Sequence, residues 1–350
     1  MVPAARSPRQ DPVGFPVGRE AARRIGDPAV TSANLADVTF SLVARSADGH
    51  LHGVAVASRF LAAGALVPAA EAQVGAIASQ AHVNLAYRPQ GLALLRTGVT
   101  AAGVVAGLVA ADPERDHRQV GVVAATGPGA TYTGEHCRDW AGGQAGDGWA
   151  AQGNILTGPE VIDALRDTWL ARTDLPFAQR LLAALRAGQQ AGGDRRGQQS
   201  AGLVVVRRGG GYGGTGDLMI DLRVDDHPDP ITELDRLLAV HTLMFSRPDP
   251  ATLLDLTGAV AAEVAGLLTA LGHPADPADP QDALVEWAGL ENLEERLAPG
   301  RIDPVVLARL RAALPHVPVP RGAASTNRDP AVGAGGDFAA PVGSEPESAR

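Results

Sequence analysis

The sequence contains no lysine: all 30 of its basic residues are arginine. That absence excludes Schiff-base and pyridoxal chemistry, the lysine of a phosphate-binding P-loop and every serine–lysine catalytic pair. Cysteine occurs once, at Cys137, so no internal disulfide can form. With no charged-then-apolar signal segment at the start, a reducing compartment is expected, the cytoplasm by default. Aromatic residues make up only 4%, which leaves a core to be built from Val, Leu and Ala. Long apolar runs are missing as well. Stretches such as Ala101 to Ala111 are diluted by Ala and Gly and fall short of the roughly 20 residues of a membrane span. Positive charge is not in excess either: the net charge is -9, which offers no electrostatic footprint for nucleic acid or an anionic membrane surface. Neither is expected as a partner.

What remains is a chain of 350 residues, 45% hydrophobic, long enough for one large domain or two smaller ones. Residues 1–37 mix Pro, Arg, Gly and Ala without a sustained period of 2 or 3.6, and read as a disordered leader or a misassigned start. From Thr39 the texture changes. Thr39 to Arg45 and His50 to Ser58 are two strand-like runs around an Asp48-Gly49 turn, a hairpin signal. Further short β runs follow at Val74 to Ser79, Gln119 to Ala125, Thr131 to Thr133, Trp149 to Asn154, Leu203 to Arg207 and Met219 to Val224.

Helical patterns occupy Tyr87 to Ala111, interrupted by glycines, then Gly158 to Arg172, Pro176 to Gln189 and Pro230 to Phe245. Strands at both ends with helices in the middle predict an α+β domain over residues 38–246, with helices packed on antiparallel sheets. Residues 247–315 predict a small helical module, with helical periodicity at Ala251 to Leu271 and Val305 to Leu314. Residues 316–350 revert to a disordered tail.

The chemistry centres on Thr39. A threonine hydroxyl is a poor nucleophile unless a base takes its proton, and when Thr is the first residue of a chain its own α-amine can be that base. The free amine titrates near pH 8 in model peptides, close enough to neutrality to shuttle protons. A nucleophile of this kind belongs at the start of a strand, which is where the leader gives way.

The segments TFSLVARSADGHLHGVAVASRFLAAGALVP, VGAIASQAHVNLAYRPQGLALL, RQVGVVAATGPGATYTGEHCRDWAGG, AAQGNILTGPEVIDAL, AGGDRRGQQSAGLVVVR and DLRVDDHPDPITELDRLL together strongly resemble DUF1028. This bacterial family of unknown function is grouped with the N-terminal-nucleophile (Ntn) hydrolases. The resemblance covers roughly residues 38–246. It implies a four-layer αββα sandwich and an amidohydrolase that cleaves a small-molecule amide through Thr39, with neither cofactor nor metal. Family members usually begin Met-Thr-Phe-Ser, whereas here 38 residues precede the threonine. Translation starting at Val38 from a GTG codon, or self-cleavage before Thr39, would each free it; without either, the domain becomes a non-catalytic binding or assembly protein.

Other residues are candidates beside it. Arg59, after the second strand, resembles the Ser-Arg or Ser-Lys of related hydrolases and supplies positive charge near Thr39 or a structural salt bridge. Ser58 offers a hydroxyl beside it. Gln80, Asn84 and Tyr87 form a polar group able to donate to an oxyanion or orient a substrate amide. Asn154 ends a strand and can donate to a tetrahedral oxyanion, though Gly-Asn is also ordinary turn chemistry. Asp194 and Arg195 lie in a polar stretch before a strand, where an acid can orient the site and an arginine can grip a carboxylate.

Glu135, His136 and Cys137 read as a loop with a lone buried thiol rather than a Cys-His pair. Gly209 to Gly216 lacks the helix and lysine of a P-loop and reads as a flexible hairpin. Asp226-His227-Pro228 reads as a cap for the closing helix rather than a metal site. The segment from Ala283, ALVEWAGLENLEERLAPGRIDPVVLARLRAAL, resembles a peptidoglycan-binding-like module. It also suits a packing unit or a dimerisation unit that would make a homo-oligomer, and wall-fragment binding is the remaining functional alternative.

Overall fold

The computed structural model describes residues 39–314; the leader and tail expected at the ends lie outside the described residues. Strands β1 (Thr39–Arg45), β2 (His52–Ser58), β7 (Gly142–Gly146), β8 (Trp149–Asn154), β9 (Ser200–Val206) and β10 (Leu218–Val224) form a six-stranded sheet in the order β10-β9-β2-β1-β8-β7. Strands β3 (Pro68–Glu71), β4 (Gly75–Ala81), β5 (Arg118–Ala124) and β6 (Ala130–Thr133) form a second sheet in sequence order. Every pairing in both sheets is antiparallel.

The helices of this unit are α1 (Ala63–Leu66), α2 (Tyr87–Arg96), α3 (Ala101–Ala111), α4 (Glu160–Ala171), α5 (Phe177–Gln190) and α6 (Pro230–Phe245). Helix α4 buries Val161, Ile162, Leu165 and Trp169, an apolar stripe at helical spacing. With Leu181, Leu182 and Leu185 of α5 and Ile231, Leu234 and Leu238 of α6, it covers Phe40, Leu42 and Ala44 of β1, Ala55 and Ala57 of β2, and Leu203 and Val205 of β9. Because side chains alternate along a strand, Thr39, Ser41 and Val43 point the other way. There Val43, Val54 and Val56 meet Ala76 and Ala78 of β4 and Val123 of β5. The opposite face of the second sheet, with Ile77, Val120 and Val122, is covered by Tyr87 and Leu95 of α2 and Val104, Val105 and Leu108 of α3. Central strands buried on both faces explain why β2 and β5 read as near-continuous apolar runs.

Close approach of the two sheets demands a small residue at Gly121 of β5, where an added Cβ would lie 2.0 Å from Gln152 Oε1. Gly121→Ala should therefore cost about 2 kcal/mol by overpacking and lower Tm by roughly 5 °C; an unchanged thermal transition would contradict this packing.

Sequence patterning leaves β3 and β7 as loop and gives no sign of α1. Both strands are short, with compositions Pro-Ala-Ala-Glu and Gly-Gly-Gln-Ala-Gly that carry little β propensity. The long pattern from Tyr87 to Ala111 is two helices, broken at Gly98, whose φ is +83°. The cap of α6 is not Asp226 or His227 but Asp229, whose carboxylate accepts from Thr232 N at 3.4 Å.

A second compact unit comprises residues 251–288 and 298–314. It contains β11 (Leu254–Asp255) paired with β12 (Arg301–Ile302), α7 (Gly258–Ala270), most of α8 (Gln281–Leu290) and α9 (Pro304–Ala313). Its first helix starts at Gly258, not Ala251, because Leu254 and Asp255 are taken by the β pairing. Val264, Leu268, Leu284, Trp287, Val306 and Leu310 are buried in it, and Asp303 caps α9 by accepting from Val305 N at 2.9 Å. Among the described residues no helix is long and apolar enough to cross a membrane.

Candidate functional site

Thr39 opens the central strand of the six-stranded sheet, flanked across the ladder by Ser58 of β2 and Asn154 of β8. The next strand outward adds Ser200, paired with Ser58. All four belong to the face that meets the second sheet, so the register alone assembles a polar row at one end of an otherwise apolar interface. Thr39 is buried, and its Oγ1 donates to Ser58 Oγ at 3.2 Å.

The main chain of Thr39 is held by side chains from both sheets. Gln80 Nε2 donates to the Thr39 carbonyl oxygen at 3.2 Å and to Gln119 Oε1 at 2.8 Å. Asn154 Nδ2 donates to the same carbonyl at 3.5 Å and to Gln119 Oε1 at 3.0 Å. Gln119 Nε2 in turn donates to Gly153 O at 2.7 Å and Thr133 Oγ1 at 2.9 Å. Ser41, two residues along β1, donates to Gln80 Oε1 at 2.6 Å and accepts from Gln152 Nε2 at 2.7 Å. Buried amides at low dielectric must be partnered or pay heavily, so this network fixes Thr39 with little freedom.

The backbone leaving this network is unusual. Ala81, after Gln80, has φ +64°, and Ile155, after Asn154, has φ +48°. A β-branched residue in the left-handed region is strained, at roughly 1–3 kcal/mol. Ile155 is held there from both sides: its N–H donates to Arg138 O at 2.9 Å and its carbonyl accepts from Arg195 N at 3.2 Å.

Asp194 ties the ends of the strands on either side of Thr39. Its buried carboxylate accepts from Arg59 N at 2.7 Å and Arg196 N at 2.8 Å, and its backbone bridges to Leu156. It therefore sets where Arg59 and Arg195 emerge. Both arginines are exposed, and the Arg59 guanidinium donates to Gln198 O at 3.3 Å.

Ser58, Gln80 and Asn154 are thus brought to Thr39, whereas Asn84 and Tyr87 are not. They sit on the helix-covered side of the second sheet, where Asn84 Nδ2 donates to Asp112 Oδ2 at 3.0 Å beside Arg118. Burial pushes the Asp112 carboxyl up, but hydrogen bonds from Asn84, Arg118 and Glu114 N outweigh it and hold it well below the usual carboxylate range. Burial, and then that carboxylate, hold the Tyr87 hydroxyl above its ordinary range. Burial also raises the Cys137 thiol to about 11, so it stays protonated and unreactive at neutral pH. Asp116, Glu135 and His136 bring ligand atoms within 4.8 Å of one another, on exposed or half-exposed loop positions.

Ser41, Gln119 and Gln152 were not singled out from the sequence. The available signal is the pair Gln152 and Asn154 at alternate positions of β8, and the single amide Gln119 beside the apolar run of β5.

The model of the "Family of unknown function (DUF1028)" matches residues 39–234, starting on Thr39 itself. That of the "Putative peptidoglycan binding domain" matches residues 244–310. No curated protein matches the chain. The crystal structure of protein SPO2555 from Silicibacter pomeroyi, assigned to DUF1028, is similar at 30% identity and a TM-score of 0.53, covering 59% of this chain and 89% of that one. The match over residues 39–234 spans more than half of the sequence, and the chain belongs to the DUF1028 family.

Proposed function

We propose that this protein is an N-terminal-nucleophile amidohydrolase, that its first unit is the four-layer αββα sandwich of that class, and that Thr39 is the nucleophile. The observation that carries the reading is the setting of Thr39: a hydroxyl at the first position of a central strand, bonded to Ser58, on a main chain gripped by Gln80 and Asn154. Helices on the outer faces of two sheets that meet through Val43, Val56 and Ala78 support the sandwich.

In this mechanism Thr39 Oγ attacks the carbonyl carbon of a small amide while its proton passes to the Thr39 α-amine. Collapse of the tetrahedral species breaks the C–N bond, and the leaving amine takes that proton. Water then attacks the Thr39 ester, giving its proton to the α-amine, which returns it to Oγ as the carboxylic acid departs. Gln80 and Asn154 act as positioning residues, because their amides are committed to the Thr39 carbonyl and Gln119. Ser58 steadies Oγ, and Asp194 places Arg59 and Arg195 at the rim, where a substrate's charged end would be held. No cofactor is needed for these steps.

The scheme requires a free amine on Thr39. Intact mass and N-terminal sequencing of the active protein are expected to give Thr39 as the first residue; full amidase activity in chains that retain residue 38 would overturn the reading.

The match over residues 244–310 favours a second function, binding of wall fragments by the C-terminal segment. The full chain should then co-sediment with purified peptidoglycan; recovery in the supernatant at every salt concentration would remove this reading.

A further inference from the structure

We propose that a cavity at the far end of β9 and β10 is a binding site for a small aromatic or branched apolar carboxylate, separate from Thr39. The cavity measures about 610 Å³, within the range of small-molecule sites. It lies between the N-terminus of α5, the C-terminal half of α6 and the glycine-rich β9–β10 hairpin. Ser200, at the start of β9, is in the Thr39 row, whereas the cavity is lined by Val205 and Arg207. Five to seven residues at ~3.3 Å each separate the two sites by roughly 16–23 Å along the strands.

The lining mixes apolar and aromatic side chains with polar ones such as Gln179, Thr242 and Glu295. Tyr212 and Phe245 meet edge to face, with ring centroids 5.7 Å apart at 81°. Tyr212 is 61% exposed, Leu218 51% and Phe245 42%. Large apolar side chains left open around a concavity mark a surface that gains by being covered.

The charge points to an anion. Arg207 is exposed, and its guanidinium makes no hydrogen bond or ion pair among the described residues. The other cation, Arg247, has Glu295 as its counter-ion at 3.8 Å. His241 Nε2 is 3.0 Å from Met219 O, and burial holds the ring below its usual value, so it adds no charge at neutral pH. Arg207 thus leaves one fork without an ion pair beside the aromatic part of the cavity, the arrangement that takes a carboxylate bidentately. A phosphate cradle is not available. The hairpin amides of Gly209, Gly210, Gly211 and Gly214 already donate to Asp217 Oδ1, Arg207 O, Gly216 O and Gly211 O.

Calorimetric titration of the full chain with 2-naphthoate and with neutral 2-naphthamide tests the assignment. One saturable site for 2-naphthoate is expected. Arg207→Gln should weaken that binding roughly tenfold, the loss of one charge-assisted pair, and leave 2-naphthamide unchanged. Tyr212→Ala should weaken both, and Thr39→Ala neither. Arg207 and Tyr212 are both exposed, so folding is not at stake in those two variants. Absence of saturable 2-naphthoate binding, indifference to Arg207→Gln, or loss of binding in Thr39→Ala would each overturn the proposal.

Discussion

Thr39→Ala is expected to lower kcat on any amide this protein cleaves by about 10⁴-fold, while Thr39→Ser retains activity within about tenfold of wild type. The first figure is the scale of loss when the attacking atom itself is deleted, since binding and polar stabilisation then act without a nucleophile. The second follows because serine keeps Oγ and the α-amine and loses only a methyl group. Both variants should fold: Gln80 and Asn154 bond the Thr39 carbonyl oxygen, which neither change removes. KM should move little, as Oγ makes its bond in the transition state rather than in ground-state binding. Steady-state kinetics on a panel of small amides, ureides and N-acyl amino acids measures this: wild-type turnover by Thr39→Ala would overturn Thr39 as the nucleophile, and no turnover by the wild type itself would assign the domain to a non-catalytic role.

Much of that site was legible in the sequence for a plain reason: strand alternation is a local property. The abrupt onset of alternation at Thr39, and the polar endings of the runs at Ser58, Gln80 and Asn154, mark side chains at strand ends without knowledge of the fold. What could not be read locally is which ends meet. The order β10-β9-β2-β1-β8-β7 places Thr39 between residues 19 and 115 positions away, and no periodicity encodes that pairing. Asn84 and Tyr87 illustrate the opposite failure. They follow Gln80 closely, but the left-handed turn at Ala81 ends the strand, and the chain crosses to the outer face to begin α2. Sequence proximity therefore grouped residues that the fold separates across a sheet.

Gln119 and Gln152 were hidden for a related reason. Within runs such as Arg-Gln-Val-Gly-Val-Val-Ala, a single amide reads as a solvent-facing position of a half-exposed strand. Here both faces are covered, so the same amide becomes the hub that joins Gln80 and Asn154. Gly121 shows how tightly that hub is built, since a methyl group at its α-carbon would collide with Gln152. The family match beginning at Thr39 is consistent with a domain organised around this strand end.

At the opposite end of the same interface, stability should fall as the pH drops from about 6.5 to about 4, and His52 should account for the loss. His52 pairs across the ladder with Arg45, is fully buried, and has no hydrogen-bond partner for either ring nitrogen among the described residues. Burial, and then the charge of Arg45, lower its pKa from 6.5 to about 4. In the unfolded chain the ring binds a proton near pH 6.5; in the folded one it resists until about pH 4. Between those values the unfolded state holds more protons, so stability rises with pH. The contribution is complete above 6.5 and is lost progressively on acidification, levelling near pH 4. At ~1.4 kcal/mol per pH unit the total is about 3 kcal/mol.

Asp112 acts separately. Its carboxyl is held below its ordinary value of 3.8, so its contribution is present above that value and disappears only at lower pH. Urea denaturation of wild type and His52→Leu at half-unit steps from pH 7 to 4 separates the two groups. Leucine has no proton to gain and fits an interface of Val43, Val54 and Val206, so the variant should match or exceed wild-type stability at pH 4.5 and show a nearly flat profile over this range. A profile as steep as wild type in His52→Leu would place the acid sensitivity elsewhere.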